Sequence, residues 1–222
     1  MKAVRIHSHG SADVLTLDNI PKPLCSKDSV LVEIKACSLN HLDIWVRNGL
    51  PGIKIPLPLI MGSDASGVVV ETGDDIKNFK IGDKVVIQPG TFNQDDEYSK
   101  IKMENYSHSY GILGETENGV QAEYVSLKEQ NLHLMSEYLS FEEAASMQLV
   151  FMTAYQMLVT RAGLLKGQTI LIYGATSGVG SAAIQIAKDL GAKVVTTVGN
   201  SAKINYAIDL GADYVFLHNK SI

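Results

Sequence analysis

The sequence predicts a mixed fold class, β followed by α/β: a β-rich domain over residues 1–130, then a parallel-sheet domain over 131–222. Three observations predict it. The first part contains short runs rich in β-branched residues, set apart by glycine, asparagine and aspartate clusters. Past residue 168 the rhythm becomes strand, helix, strand, helix, strand with apolar strands, which in that order form a parallel sheet covered on both faces. A glycine-rich turn, GATSGVGSAA (174–183), joins the first of those strands to the first of those helices.

Each element follows from its local pattern. VLVEIKA (30–36) alternates, with Val30, Val32, Ile34 and Ala36 on one side and Leu31, Glu33 and Lys35 on the other. GVVVET (67–72), DKVVIQP (83–89) and AEYVSLK (122–128) are further β-rich runs, spaced as in a barrel or sandwich. Ser140 stands three residues before Glu143, a capping box that opens a helix. The most apolar long stretch, AASMQLVFMTAYQMLV (144–159), is short for a membrane span and carries Gln148 and Gln156, so a buried helix is expected. TILIYGA (169–175), AKVVTTVG (192–199) and DYVFL (213–217) read as strands. VGSAAIQIAKDL (179–190) and SAKINYAIDL (201–210) read as helices, each stopped by a glycine, Gly191 and Gly211, where a left-handed cap belongs. Doubly wound dinucleotide domains use roughly six strands. Three are visible, so the expectation is a shortened chain whose bare sheet edge invites a homodimer or a larger homo-oligomer.

Composition excludes several classes of function. The chain of 222 residues is 45% apolar and 19% charged, as globular proteins are. A net charge of −5 favours neither nucleic acid nor an anionic membrane as partner, and a small-molecule substrate is expected. The opening MKAVRIHSHG has no apolar secretory core. Cys25 and Cys37 form no disulfide framework and no C-x-x-C pair, which points to reduced thiols and a cytoplasmic setting.

The turn at 174–183 contains G-x-G-x-x-A between a strand and a helix, the context a dinucleotide-binding loop requires. Gly178 would permit the tight turn, Gly180 the approach of a pyrophosphate, and Ala183 close helix–strand packing. Gly174, Ala175, Ser177, Gly178, Val179 and Gly180 are therefore the candidate phosphate cradle. NAD sites place an acid about 20 residues further on. Here the region is Val198-Gly199-Asn200-Ser201-Ala202-Lys203, with no acid. Asn200, Ser201 and Lys203 suit a ribose 2′-phosphate, which favours NADPH over NADH; the alternative for Lys203 is a solvated helix residue.

With these motifs in place, the chain resembles the medium-chain dehydrogenase/reductase family, in which a GroES-like β-barrel precedes a Rossmann domain. The resemblance rests on KAVRIH, SLNHLDIWVRNG (38–49), GSDASGVVVETGDDIKNFKIGDKV (62–85), GILGETENGVQAEYV (111–125), MTAYQML (152–158) and the glycine loop. It spans the whole chain and is nearest the zinc-type alcohol dehydrogenase and quinone oxidoreductase branches. It implies that the second domain is an incomplete Rossmann domain, with the last third of the family's chain missing.

The resemblance also locates the family's metal positions. The catalytic zinc ligands of the zinc-dependent branch fall on Asn40, Ser63 and Leu149. An amide, a hydroxyl and an isobutyl group are not zinc ligands, so no catalytic zinc is expected. The four cysteines of the structural zinc lobe fall on Asn93, Asp96, Ser99 and Ser107, and a mobile loop is expected there. Asp95, Asp96 and Glu97 could attract a hard cation or form a solvated acidic loop.

By the same resemblance, activity is expected as zinc-free hydride transfer from NADPH to a quinone or an activated alkene. Asn40 would steady the developing anion, Thr153 would lie beside the nicotinamide, and Asp43 and Asp64 would orient the site near Ser63. A turn residue before a helix is the alternative for Asn40. The other readings are a zinc-type alcohol dehydrogenase by lineage, or a catalytically silent fragment acting as a binding module.

Overall fold

A computed structural model describes residues 1–218; the last four residues of the expected 131–222 domain lie outside the described residues. Two compact units result, Met1–Leu149 and Val150–Ile222.

The first unit is built from ten strands: β1 (Lys2–Ile6), β2 (Leu15–Asn19), β3 (Ser29–Cys37), β4 (Leu59–Ile60), β5 (Ala65–Thr72), β6 (Lys84–Ile87), β7 (Gly90–Thr91), β8 (Gly111–Ile112), β9 (Tyr124–Lys128) and β10 (Leu132–Leu134). Helices α1 (His41–Asn48), α2 (Glu97–Lys100) and α3 (Phe141–Ala145) interrupt or follow them. The main sheet has the order β10-β6-β5-β3-β9, antiparallel throughout. Its inner face buries Val30 and Val32 of β3, Val69 of β5 and Val85 and Ile87 of β6, the period-2 pattern read from the sequence. A smaller sheet, β2-β1-β4, encloses Ile6, Val46, Leu59 and Met61.

This unit continues past residue 130, where the sequence pattern suggested a change. The reason is local. The capping box at Ser140 forms, with Ser140 N on the Glu143 carboxylate at 2.8 Å and Glu143 N on Ser140 Oγ at 3.2 Å. The short α3 it starts packs on β3 and β5, and Ser66 Oγ donates to the Phe141 carbonyl at 2.6 Å.

The second unit holds α4 (Gln148–Tyr155), which begins in the first unit and runs into a π-helical turn over Gln156–Arg161. Then come β11 (Thr169–Ile172), α5 (Gly178–Asp189), β12 (Lys193–Val198), α6 (Ile204–Asp209) and β13 (Tyr214–Leu217). The sheet order β11-β12-β13 is parallel, as the alternating pattern predicts. Gly191 and Gly211 close their helices at φ 75° and 104°, a region that costs glycine nothing. Ala182, Ala183 and Ala187 of α5 are buried around Ile184; their small size lets the helix lie close to the sheet.

Two expectations fail here. The 144–159 stretch is not one buried helix: it is split among α3, α4 and the π turn, and Tyr155 and Met157 are half exposed. Among the described residues, the parallel sheet is not covered on both faces. Ile172, Val194, Val198 and Leu217 face α5 and α6, whereas the opposite row, Leu171, Tyr214 and Phe216, is 64%, 58% and 45% exposed. Registration explains the division, since Leu171, Val195 and Tyr214 are directly opposed across the three strands.

Candidate functional site

The first group of candidate residues is organised by the start of α1 and the turn before β5. Asn40 caps α1 in extended conformation, and its backbone N–H donates to the Asp43 carboxylate at 2.7 Å. Its side-chain Nδ2 donates to Asp64 Oδ2 at 3.0 Å. Asp64 Oδ1 accepts from the Leu149 backbone N–H, also at 3.0 Å, and the Asp64 carbonyl accepts from Ser38 N. Asp64 is 1% exposed. Burial pushes its carboxyl up to about 6, against the pull of the Asn40 and Leu149 hydrogen bonds; the neighbouring Asp43 charge adds to the rise. Burial also raises Asp43, against N–H groups of Asn40 and Gly62. Ser63 is fully buried, and its Oγ has no partner among the described residues.

The structure thus brings Asn40, Asp43 and Asp64 into one hydrogen-bonded group, with Ser63 next to Asp64 in the chain. Two further members join it: Ser38, whose hydroxyl acts on the Asp64 carboxylate and whose N–H donates to the Asp64 carbonyl, and the Leu149 amide, a backbone donor that leaves no trace in residue type. Thr153 lies on α4 in the other unit, with the glycine loop.

These residues do not fit a catalytic zinc. Of the three family ligand positions, Asn40 and the Leu149 amide are committed to Asp64, and Ser63 offers a neutral hydroxyl. Among the described residues, no group of three or more His, Cys, Asp or Glu side chains is arranged to hold a metal ion. The second lobe carries no thiolate either, and it has local order of its own. Asp96 caps α2 by accepting from Tyr98 N at 2.8 Å, Ser107 and Ser109 hydroxyls meet at 2.7 Å, and Tyr98 lies near Tyr106. Hydrogen bonds engage Asn93, Asp96 and Ser107 of the four family ligand positions, whereas the buried Ser99 Oγ has no partner among the described residues.

The second group lies at the C-terminal ends of β11 and β12. The tight turn falls at Gly174, with φ 78°, and not at Gly178 as the motif suggested. A Cβ on Gly174 would meet nothing nearer than Ser177 Oγ at 4.0 Å, so the space above this turn is open. Gly180 needs to be glycine for a different reason than expected: a Cβ there would stand 2.2 Å from the Gly174 carbonyl. Ser177 caps α5, accepting from Gly180 N and donating to Gly174 O, both at 2.9 Å. Gly178 and Val179 begin the helix, where backbone N–H groups lack intrahelical acceptors. Ala175 is buried, its amide on the Thr197 carbonyl at 2.9 Å, so it shapes the loop from below. An open turn with helix-start amides fits a dinucleotide diphosphate.

Thr197 was not singled out from the sequence, although its hydroxyl accepts from Gly174 N at 3.2 Å. The signal was there: Thr196 and Thr197 are polar residues among the valines of the central strand, both buried. Past β12, Asn200, Ser201 and Lys203 are exposed, and Lys203 N donates to the Asn200 carbonyl at 3.2 Å.

The family described as Alcohol dehydrogenase GroES-like domain matches residues 26–137, and that described as Zinc-binding dehydrogenase matches 178–222. A 2-methylene-furan-3-one reductase of Solanum lycopersicum is 36% identical, over 99% of this chain and 53% of that protein. A Homo sapiens quinone oxidoreductase is 30% identical, over 99% of this chain and 59% of that protein. The chain therefore spans between half and three-fifths of the length of these relatives. A crystal structure of an NAD-dependent alcohol dehydrogenase superposes with a TM-score of 0.95 at 43% identity, covering 99% of this chain and 64% of that one. Matched along both its β-rich and its glycine-loop parts, the chain belongs to the medium-chain dehydrogenase/reductase family.

Proposed function

We propose that this chain is part of an NADPH-dependent oxidoreductase that reduces a quinone or an activated alkene without a metal. The observation that carries the reading is the Asn40–Asp64 pair: where zinc-dependent relatives place ligands, this chain places a neutral amide held by a buried carboxylate. Asn40 Nδ2 has two hydrogens and gives one to Asp64; the other remains as an uncharged donor for oxygen that gains negative charge. Asp43 fixes the backbone of the same residue. The glycine loop supplies amides for a diphosphate, and Lys203 with Asn200 and Ser201 supplies groups suited to a 2′-phosphate. A nicotinamide bound by this unit would deliver hydride to an electron-poor carbon or oxygen, with solvent supplying the proton. Thr153 is placed beside that ring by family resemblance alone. A cytoplasmic setting is supported by two free cysteines.

A second reading, an NAD-dependent alcohol dehydrogenase, is favoured by the likeness to the solved structure of that description. One set of measurements separates them. NADPH and NADH are titrated by fluorescence, oxidation of each is followed with a benzoquinone and an enone, and zinc is measured by elemental analysis. Tighter NADPH binding with quinone- or enone-dependent oxidation and no zinc is expected. Stoichiometric zinc with NADH-dependent ketone reduction would establish the second reading. Absence of binding at millimolar cofactor would leave a silent binding module.

A further inference from the structure

Three segments converge on the Asp64 side of the first unit: the loop entering α1, the turn entering β5, and the end of the unit at Leu149. A metal bound as in zinc-dependent relatives would join the same three segments. Here the junction is made by one side chain. The two oxygens of Asp64 are used separately, Oδ2 for the Asn40 side chain and Oδ1 for the Leu149 amide, each at 3.0 Å. The Ser38 amide ties the Asp64 backbone to the loop entering α1, again at 3.0 Å. An ionised carboxylate accepts hydrogen bonds and cannot donate them, so its partner on Asn40 must be Nδ2. The carboxylate therefore fixes which end of the Asn40 amide faces inward.

We propose that Asp64 is a positioning residue that replaces the metal as the link between the Asn40 and Leu149 segments and sets the orientation of the Asn40 amide. The groups around it agree with this role. Asn40, Leu149 and Ser38 are hydrogen-bond donors, and among the described residues the charge that acts on it is the carboxylate of Asp43. Ser63, at the remaining ligand position of the relatives, contributes no hydrogen bond through its side chain among the described residues, and none is required of it.

The consequence for Asn40 rests on the proposed function; the link to Leu149 does not. The test separates them. In Asp64→Asn, the new amide can still accept from Leu149 with its oxygen, but its nitrogen now faces Asn40, which must turn its own oxygen inward. Hydrogen exchange read on the backbone amide of Leu149 should stay close to wild type in Asp64→Asn, and should speed by about tenfold or more in Asp64→Ala. Turnover of NADPH with a benzoquinone should fall by about tenfold or more in kcat for Asp64→Asn, with KM for NADPH within about twofold of wild type. Unchanged Leu149 exchange in Asp64→Ala would overturn the link. Unchanged kcat in Asp64→Asn, in an enzyme whose wild type turns over, would overturn the orienting role. A wild type without turnover would count against the proposed function, and the exchange experiment would still decide the link.

Discussion

Asp64 concentrates at one residue the conflict between burial and charge. Its carboxyl titrates near 6 in the fold and near 3.8 as an ordinary aspartate. Between these values the folded chain holds a proton that the unfolded chain has released, so stability must fall as pH rises through that window. The contribution is fully present below about pH 4 and lost above about pH 6, and amounts to about 3 kcal/mol from this one group. Urea denaturation of the wild type and of Asp64→Asn across pH 4 to 8 should give a steeper decline for the wild type than for the variant, which keeps the raised carboxyl of Asp43. Parallel profiles would mean that the carboxyl is not held protonated by its surroundings. How far this was legible is instructive. Asp64 is visible in the sequence as the acid of GSDASG, and Asn40 as a replaced metal position. The bond between them, across 24 residues of chain, needs the fold, and so does the donor at Leu149, which is backbone.

At the scale of elements, local chemistry was the more readable part. The box at Ser140 and Glu143, the strands of the main sheet and the glycine stops of α5 and α6 all follow from nearest neighbours in the chain. What the motif could not assign was the division of labour within the loop, because Gly174, Gly178 and Gly180 are one residue type in three environments. The Ser177 cap divides stability from binding in a measurable way. Ser177→Ala removes an N-cap acceptor and a donor to the Gly174 turn, and should cost about 1 kcal/mol. Ser140→Ala removes the cap of α3 and should cost a similar amount. Only the first lies in the proposed cradle, so NADPH affinity should drop in Ser177→Ala and stay at the wild-type value in Ser140→Ala. Equal effects of both on NADPH binding, measured by fluorescence titration, would show that the loss follows general stability and not the loop.

At the scale of the whole molecule, the decisive feature is the sheet of the second unit. Its parallel strand direction was predictable from the alternation of apolar strands and helices, yet the coverage was not. Periodicity tells which residues share a face, and only neighbours tell whether that face is buried. The face carrying Ile172, Val194 and Val198 is closed by α5 and α6, whereas Leu171, Tyr214 and Phe216 stand out on the other. Large apolar side chains in one contiguous row are costly to leave in water, each worth about 1.5–3 kcal/mol on full burial. A second copy of the chain could bury the row, in line with the homo-oligomer expected from the sequence. Sedimentation velocity should therefore show self-association that grows with concentration at neutral pH. Tyr214→Lys combined with Phe216→Lys places two like charges in the row and should shift the chain toward monomer, with less binding of a hydrophobic dye. These positions are already half exposed, so the folded content by circular dichroism should be unchanged. A wild type that sediments as a monomer at every concentration, or a double variant that associates as strongly as the wild type, would show that the row does not join copies.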